Sequence, residues 1–325
     1  MSFDDILGQA PAVETLSRAL RAGKLHHAYR FEGPAGVGKE LTAFALARAL
    51  VCEAPTPLAC GACSACSRAA TLSDEEPHVP RHPDVVLVGR GVYPSSVLGS
   101  SVTESTSISV EQIRRVVLTR SGYPPHEGRG LVFIVRDADE LSIQAANSLL
   151  KTLEEPKDRT TFLLLSSRPN RLLDTIRSRT LAVRFGPLSV SVLQELLRAR
   201  GLPAELASQA NGSAARALEL ADADRAQERD AFTDAVQQAL SAADATEALD
   251  IAKNRPEDRH ALRELLAHLA HRFAEESKAR VTTEPEQAVL WAERHGIVLA
   301  SLNDIERNVQ PALALEAMLL RMRNA

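Results

Sequence analysis

The stretch Gly33-Pro34-Ala35-Gly36-Val37-Gly38-Lys39 decides the fold of this chain, because it matches the Gly-x-x-x-x-Gly-Lys part of a phosphate-binding P-loop. In a P-loop the amides of the glycine-rich turn and the lysine hold phosphates, and a Ser or Thr after the lysine binds magnesium. Glu40 stands at that last position here. The chain therefore lacks the hydroxyl that holds the metal. The candidate nucleotide-binding residues are Gly33, Gly36, Gly38 and Lys39.

The segments on either side of the glycine loop have the order that a P-loop needs. Residues 28–31 are a short apolar strand candidate, and residues 41–50 are rich in helix formers and free of Gly and Pro. A strand, a glycine loop and a helix in this order put a phosphate at a helix N-terminus, where free amides and the dipole favour an anion.

Further short apolar runs at residues 84–88, 131–135 and 161–165 are continuous, as in strands covered on both faces. Helical patterns lie between them, one capped by Ser109 with Gln112 and one by Ser142, and loops are expected at 73–80 and 89–106. This alternation predicts a mostly parallel α/β sheet with helices on both faces over residues 1–186. A small helical unit at 187–222 and a larger all-helical region at 223–325 follow, punctuated by Pro256, Gly296 and Pro311.

The composition narrows the classes of protein to which the chain can belong. With 45% hydrophobic and 25% charged residues it has the make-up of a globular protein, and a net charge of −4 argues against a generally basic nucleic-acid binder. No apolar stretch approaches the roughly 20 residues of a membrane helix, so no membrane partner is expected. No secretory signal is visible, so a cytoplasmic location is expected.

The acidic strand end that completes the magnesium site of a P-loop enzyme has also changed. Magnesium is normally held there by an Asp at the end of a buried strand. Residues 131–135 are such a strand, and Arg136 and Asp137 follow it. If the strand end sets the register, a cation stands at the magnesium position and repels the metal. If the register slips, Asp139 and Glu140 form the acidic pair instead.

All four cysteines lie close together in the sequence, as Cys52-x7-Cys60-x2-Cys63-x2-Cys66. Clustered cysteines in a cytosolic chain indicate a metal site rather than disulfides. Four thiolates suit tetrahedral zinc and leave no open position, so the expected role of the zinc is structural. An iron–sulfur cluster is the competing interpretation, because Cys-x2-Cys-x2-Cys also occurs in cluster proteins. The short loop and the absence of a redox partner motif favour zinc.

Arg179 is a candidate catalytic residue that acts on a nucleotide held by another subunit. It lies in the run Ser178-Arg179-Thr180, after the strand predicted at 161–165. An arginine finger supplied in trans stabilises the charge on the γ-phosphate of a neighbour's nucleotide. The alternative is that Arg179 is a solvated surface arginine.

Together these segments resemble the bacterial DNA polymerase III clamp loader family of AAA+ proteins over nearly the whole chain. The P-loop and the four-cysteine module follow the family order. The most specific matches are Asn147-Ser148-Leu149-Leu150-Lys151-Thr152-Leu153-Glu154-Glu155-Pro156, Ile176-Arg177-Ser178-Arg179 and Asn308-x-Gln310-Pro311-x-Leu313-Ala314-Leu315-Glu316. The resemblance implies an AAA+ domain with an inserted zinc module at 52–66, a lid domain at 187–222 and a collar oligomerisation domain at 223–325.

Within the family the chain resembles the delta-prime subunit, because the gamma/tau motor subunits keep Gly-Lys-Thr and Asp-Glu and carry a long extension after the collar. The resemblance implies a stator in a five-subunit ring with delta and gamma/tau subunits, which opens the sliding clamp and places it on primed DNA. Arg179 would reach the ATP of a neighbour. Binding of ATP or ADP by the chain itself would be weak, its Mg²⁺ site degraded, and its own hydrolysis small or absent.

Two alternatives stay open: an ATP-hydrolysing gamma/tau-like motor of the same loader, and a zinc-bearing regulator unrelated to replication. The chain also departs from the family motors in the lid, where Ala214 and Ala215 follow Gly212-Ser213 and the arginine comes only at Arg216. Ser166 and Ser167 lie at the family's sensor-1 turn. Three further arginines are either contacts for DNA phosphates or a solvated face, namely Arg114, Arg115 and Arg120.

Overall fold

The computed structural model describes residues 2–54, 56–99, 107–127, 129–256, 258–307 and 309–325. The chain divides into two compact units, Met1–Leu218 and Glu219–Ala325. The separate lid at 187–222 and the collar at 223–325 stay predictions, since residues up to Leu218 belong to the first unit. Within the described ranges no helix combines the length and the apolar character that crossing a bilayer requires.

The first unit is built on a five-stranded sheet in which all neighbouring strands are parallel, in the order β2-β3-β4-β1-β5. The strands are β1 (Ala28–Glu32), β2 (Val85–Val88), β3 (Leu131–Val135), β4 (Thr160–Ser166) and β5 (Leu181–Arg184). The four predicted strands are therefore confirmed to within a residue at each end. Strand β5 was missed because it is a short edge strand in which only Val183 is buried, so it has no continuous apolar run.

Helices cover both faces of the sheet, as predicted. The α-helices of the first unit are α1 (Ala10–Arg21), α2 (Lys39–Val51), α3 (Ser64–Ala70), α4 (Ser95–Leu98), α5 (Val110–Gln112), α6 (Thr119–Ser121), α7 (Ile143–Glu154), α8 (Asp174–Arg177) and α9 (Val190–Arg198). A π-helical segment, Ile113–Leu118, joins α5 to α6. Because side chains alternate along a strand, Val132 and Ile134 of β3 pack in a core with α2, whereas Phe133 packs in a second core with α7.

Two predicted helix caps are present, with one difference. The Ser142 hydroxyl accepts a hydrogen bond from the Ala145 amide at the start of α7, and the Ser109 hydroxyl accepts one from the Gln112 amide at the start of α5. The Gln112 side chain does not complete a reciprocal capping box. The side-chain Nε2 of Gln112 donates instead to the Gly89 carbonyl oxygen at 2.8 Å, and this hydrogen bond connects the loop after β2 to the helix.

The second unit is helical throughout its described residues. Its helices are α11 (Ala223–Ser241), α12 (Thr246–Lys253), α13 (Arg259–Arg280), α14 (Pro285–Glu306) and α15 (Pro311–Arg323), and α10 (Ala214–Ala221) spans the sequence boundary between the units. Pro256 lies between helices and Pro311 begins one, as predicted. The prediction that Gly296 interrupts the helices was wrong, because Gly296 lies inside α14, where a glycine costs only about 1 kcal/mol.

Part of two other predictions falls outside the described residues. The loop predicted at 89–106 is described only as far as residue 99, and α4 lies within it. The collar motif that begins at Asn308 is described from residue 309 onward.

Candidate functional site

The predicted P-loop connects β1 to α2 and is packed against the start of α10. Gly38 precedes the first residue of α2 with a φ of 101°, and Gly36 has a φ of 72°; both values lie in the left-handed region that favours glycine. A Cβ added to Gly36 would lie 2.2 Å from Ser213 Oγ, and the Ala214 amide donates to the Gly36 carbonyl oxygen at 2.8 Å. The small side chains of Ser213 and Ala215, at the start of α10, therefore rest directly on the loop.

Lys39 is buried, and its ammonium group is directed to protein acceptors. Its Nζ donates to the carbonyl oxygens of Gly33 at 2.6 Å and Pro34 at 2.5 Å, and to Ser167 Oγ at 3.2 Å. Burial lowers the pKa of Lys39 to about 8, although the carboxylates of Asp137 and Asp139 oppose that shift. A phosphate could bind here only by replacing hydrogen bonds that Lys39 already makes within its own loop.

The two residues that replace the usual magnesium ligands contact each other. Arg136 Nε donates to Glu40 Oε2 at 3.0 Å, and Arg136 Nη2 donates to the other carboxylate oxygen of Glu40. This is the two-bonded fork geometry of a strong Arg–carboxylate pair. The pair links the first turn of α2 to the end of β3, because the Arg136 amide still donates to the Val88 carbonyl oxygen at 2.7 Å.

The alternative acidic pair lies in the turn Ala138–Glu140 and is engaged by Arg168. Asp139 accepts from the Ser167 amide at 3.1 Å and from Arg168 Nε at 3.0 Å, and Glu140 forms an ion pair with Arg168 at 3.5 Å. Strand β3 ends at Val135, so Arg136 directly follows the strand. The observed register is the one that puts a cation, not an acid, at the strand end.

Arg179 lies at the amino-terminal ends of the strands, whereas the P-loop of its own chain lies at their carboxyl ends. The P-loop follows the carboxyl end of β1, whereas Arg179 precedes the first residue of β5, Leu181, which pairs with Tyr29 near the start of β1. At about 3.3 Å per residue, the length of β1 separates these two ends of the sheet by roughly 15 Å. Arg179 therefore faces away from the nucleotide loop of its own chain.

The Arg179 side chain is held at the surface by its neighbours. Its Nε donates to Glu154 Oε1 at 2.6 Å, and its Nη1 donates to the Thr175 carbonyl oxygen at 2.9 Å. The guanidinium side chain is 32% exposed and that of Glu154 is 45% exposed. Glu154, in the last turn of α7, thus fixes the direction of Arg179 without covering it.

Beneath Arg179 the turn is held by a buried arginine that sequence reasoning missed. Arg30, in the middle of β1, donates from Nη1 to the Arg177 carbonyl oxygen at 3.0 Å and to Thr180 Oγ1 at 2.7 Å. The Thr180 hydroxyl in turn donates to the Ile176 carbonyl oxygen at 2.9 Å. The available signal was a charged residue between apolar neighbours in a buried strand, because such a residue needs buried partners.

The four cysteines converge in space around one point. Their Sγ atoms all lie within 4.8 Å of one another, and Cys52–Cys63 and Cys60–Cys66 are each 4.0 Å apart. Four sulfurs about 2.3 Å from one tetrahedral ion would be about 3.8 Å apart. The arrangement fits a single ion, and the cysteines are positioned to bind a metal. A cluster would hold its cysteines further apart, because its own iron and sulfide atoms stand between them.

The surroundings of these cysteines favour a bound cation. The amides of Cys60, Cys63 and Cys66 each point at the sulfur of the preceding cysteine of the set, at 3.4 Å. Hydrogen bonds from backbone amides, first that of Ala62, lower the pKa of the Cys60 thiol. Burial raises the pKa of Cys66 to about 12, so its thiolate needs a cation beside it.

The candidate DNA-contacting arginines do not form one free set. Arg120 Nη2 donates to Asp84 Oδ1 at 2.5 Å, and its Nη1 donates to the carbonyl oxygens of Tyr123 and Pro124. Asp84 is fully buried, so Arg120 serves the loop after α6 and not a solvated face. Arg115 pairs with Glu111 and is exposed, as is Arg114.

Comparison with known proteins identifies a matching family and several relatives of this chain. The family described as "DNA polymerase III, delta subunit" matches residues 8–189. The chain is 34% identical over 197 residues to DNA polymerase III subunit gamma/tau of Mycobacterium bovis, covering 60% of this chain and 30% of the relative. It is 32% identical over 232 residues to subunit tau of Escherichia coli, covering 68% of this chain and 32% of the relative.

The match thus spans about a third of the length of these curated relatives. Among solved structures, the chain is similar to a DNA polymerase III gamma subunit-related protein from Thermotoga maritima. That similarity has a TM-score of 0.45 and 16% sequence identity, and it covers 96% of this chain and 98% of the other.

Proposed function

Because the chain belongs to the clamp loader AAA+ family of DNA polymerase III, we propose that it is a delta-prime-like stator subunit of a clamp loader. In this role it assembles with gamma/tau and delta subunits into a ring that loads the sliding clamp onto primed DNA. It supplies Arg179 to the ATP site of a neighbouring subunit and hydrolyses little or no ATP itself. The four cysteines hold one structural Zn²⁺.

One observation carries this proposal. The carboxyl end of the sheet lacks the usual magnesium ligands, whereas the amino end presents an oriented arginine. At the carboxyl end, Lys39 and Arg136 are engaged by protein groups, and no side-chain oxygen of Ser, Thr or Asp is offered at the usual metal positions. At the amino end, the Arg179 side chain is partly exposed and is oriented by Glu154. A fixed cation aimed away from its own P-loop is what hydrolysis in a neighbour needs, because preorganised charge stabilises the transition state.

The first prediction concerns turnover by the isolated chain. With magnesium and ATP, we expect no hydrolysis above the rate of a Lys39→Ala variant, because magnesium and its ligands supply much of the charge stabilisation in phosphoryl transfer. The measurement is phosphate release by the purified chain, with and without primed DNA and clamp. Turnover that Lys39→Ala abolishes would favour the gamma/tau-like motor over the stator.

The second prediction tests the turn beneath Arg179. Thr180→Val keeps the shape of the side chain but leaves Arg30 one acceptor short, at a cost of about 1–3 kcal/mol in folding free energy. Since this loosens the segment that presents Arg179, we expect the DNA-stimulated ATPase of the reconstituted ring to fall about tenfold, within the range that misplaced groups cost.

The conservative variant Thr180→Ser separates positioning from general destabilisation. Because it keeps the hydroxyl that accepts from Arg30, we expect it to restore the ATPase to within about twofold of wild type. Equal activity of wild type and Thr180→Val, measured well below the melting temperature, would show that the turn does not position Arg179.

A further inference from the structure

The AAA+ fold implies a magnesium ion beside the P-loop, and the residues present here do not fit one. A hard divalent cation takes oxygen ligands at about 2.0–2.1 Å in nearly ideal octahedral geometry. The carboxylate oxygens of Glu40 instead accept from Arg136 Nε, at 3.0 Å, and from Arg136 Nη2. A guanidinium has donors only, so it cannot ligate a cation.

We propose that the Glu40–Arg136 ion pair takes the place of magnesium in this chain, so that its P-loop is a metal-independent structural joint. The inference deepens the proposed function and rests on it in treating residues 33–40 as the inherited P-loop. The fit between Glu40 and Arg136 is both electrostatic and steric, and each residue accounts for the presence of the other.

The charges of Glu40 and Arg136 balance each other without a metal. In a working site the hydroxyl is neutral and the strand-end Asp is negative, so a cation completes the set. Here Glu40 contributes one negative charge and Arg136 one positive charge, and two hydrogen bonds join the two side chains.

Room for the arginine is provided by the neighbouring strand. A Cβ added to Gly89, just beyond β2, would lie 3.2 Å from Arg136 Cβ and 3.7 Å from its Cδ. The stem of Arg136 therefore passes over a residue without a side chain on its way to Glu40. The ion pair joins the first turn of α2 to the end of β3.

The test uses the full chain with its cysteine site saturated with Zn²⁺, and Mn²⁺ with ADP as the probe. Bound Mn²⁺ is measured by electron paramagnetic resonance. We expect wild type to hold no Mn²⁺ at the loop, and E40T/R136D, which restores both oxygen ligands, to bind Mn²⁺ with ADP at least tenfold more tightly. Two controls, E40T alone and E40Q/R136Q, are expected to gain no Mn²⁺, because neither supplies the strand-end carboxylate.

The proposal is overturned if wild type binds Mn²⁺ with ADP as tightly as E40T/R136D, if E40T alone gives the full gain, or if E40T/R136D gains nothing.

Thermal unfolding tests the Glu40–Arg136 ion pair without any ligand. Glu40→Gln and Arg136→Gln should each lower the melting temperature by about 2 °C, and the double variant should lower it by no more than one of them, as for a coupled pair. Additive shifts would also count against the joint. None of these results depends on Arg179, so a failure here leaves the stator proposal to its own test.

Discussion

Arg179→Ala is expected to abolish ATP hydrolysis at the site of the neighbouring subunit in a reconstituted ring while leaving this chain folded. An arginine finger contributes about 10³–10⁵-fold to turnover in phosphoryl transfer, because it neutralises charge that develops on the γ-phosphate. The Arg179 side chain is partly exposed and donates to Glu154, Thr175 and Ser178 at the surface, so its loss removes no core contact. The measurement is the DNA- and clamp-stimulated ATPase of the ring, with ring assembly followed by gel filtration.

A matched control lies in the same turn. Arg177 is exposed and pairs with Asp174, and its side chain points to its own helix α8. We expect Arg177→Ala to leave the ATPase within about twofold of wild type. Rings that contain Arg179→Ala and hydrolyse ATP at the wild-type rate would refute the finger, and rings that fail to assemble would assign Arg179 to the interface alone.

Removal of the metal is expected to have the largest effect on stability. Structural zinc contributes about 10–16 kcal/mol of apparent binding free energy in small zinc modules, and that energy counts toward folding. We expect elemental analysis to find about one zinc per chain. A strong chelator should lower the unfolding temperature and release zinc with the same time course, because the four thiolates lose the cation that holds them together.

The choice of variants separates the metal from local packing. Cys66→Ser removes a buried sulfur and should lose both zinc and the cooperative unfolding of the first unit. Ser67→Ala, at an exposed position one residue further along α3, removes a single oxygen in the same helix and should keep both. Iron with visible absorbance, or full stability of the metal-free chain, would overturn the assignment to structural zinc.

The sequence was sufficient where local chemistry decided the structure. The P-loop signature, the continuous apolar runs and the Ser142 cap led to the strands and helices now observed, because each depends on residues that are near neighbours in the chain. The convergence of the cysteines also followed from short spacing. Strand β5 was missed because its burial depends on its place at the sheet edge, which short-range patterns do not encode.

The site was harder to predict, because its contacts join residues far apart in sequence. Glu40 and Arg136 were recognised separately as two lost metal ligands, but nothing in either segment showed that they bind each other across 96 positions. The Arg30–Thr180 contact spans 150 positions and was likewise not visible. In both cases a charged residue in an unusual place was the signal, and the partner could be identified only in three dimensions.

The Glu40–Arg136 pair also limits the mutational routes open to this chain. Glu40→Thr alone strands a guanidinium beside the phosphate loop, and Arg136→Asp alone puts a new carboxylate against that of Glu40. Each single substitution loses the ion pair and supplies only part of an oxygen ligand set, so under the proposal above a metal site requires both changes together.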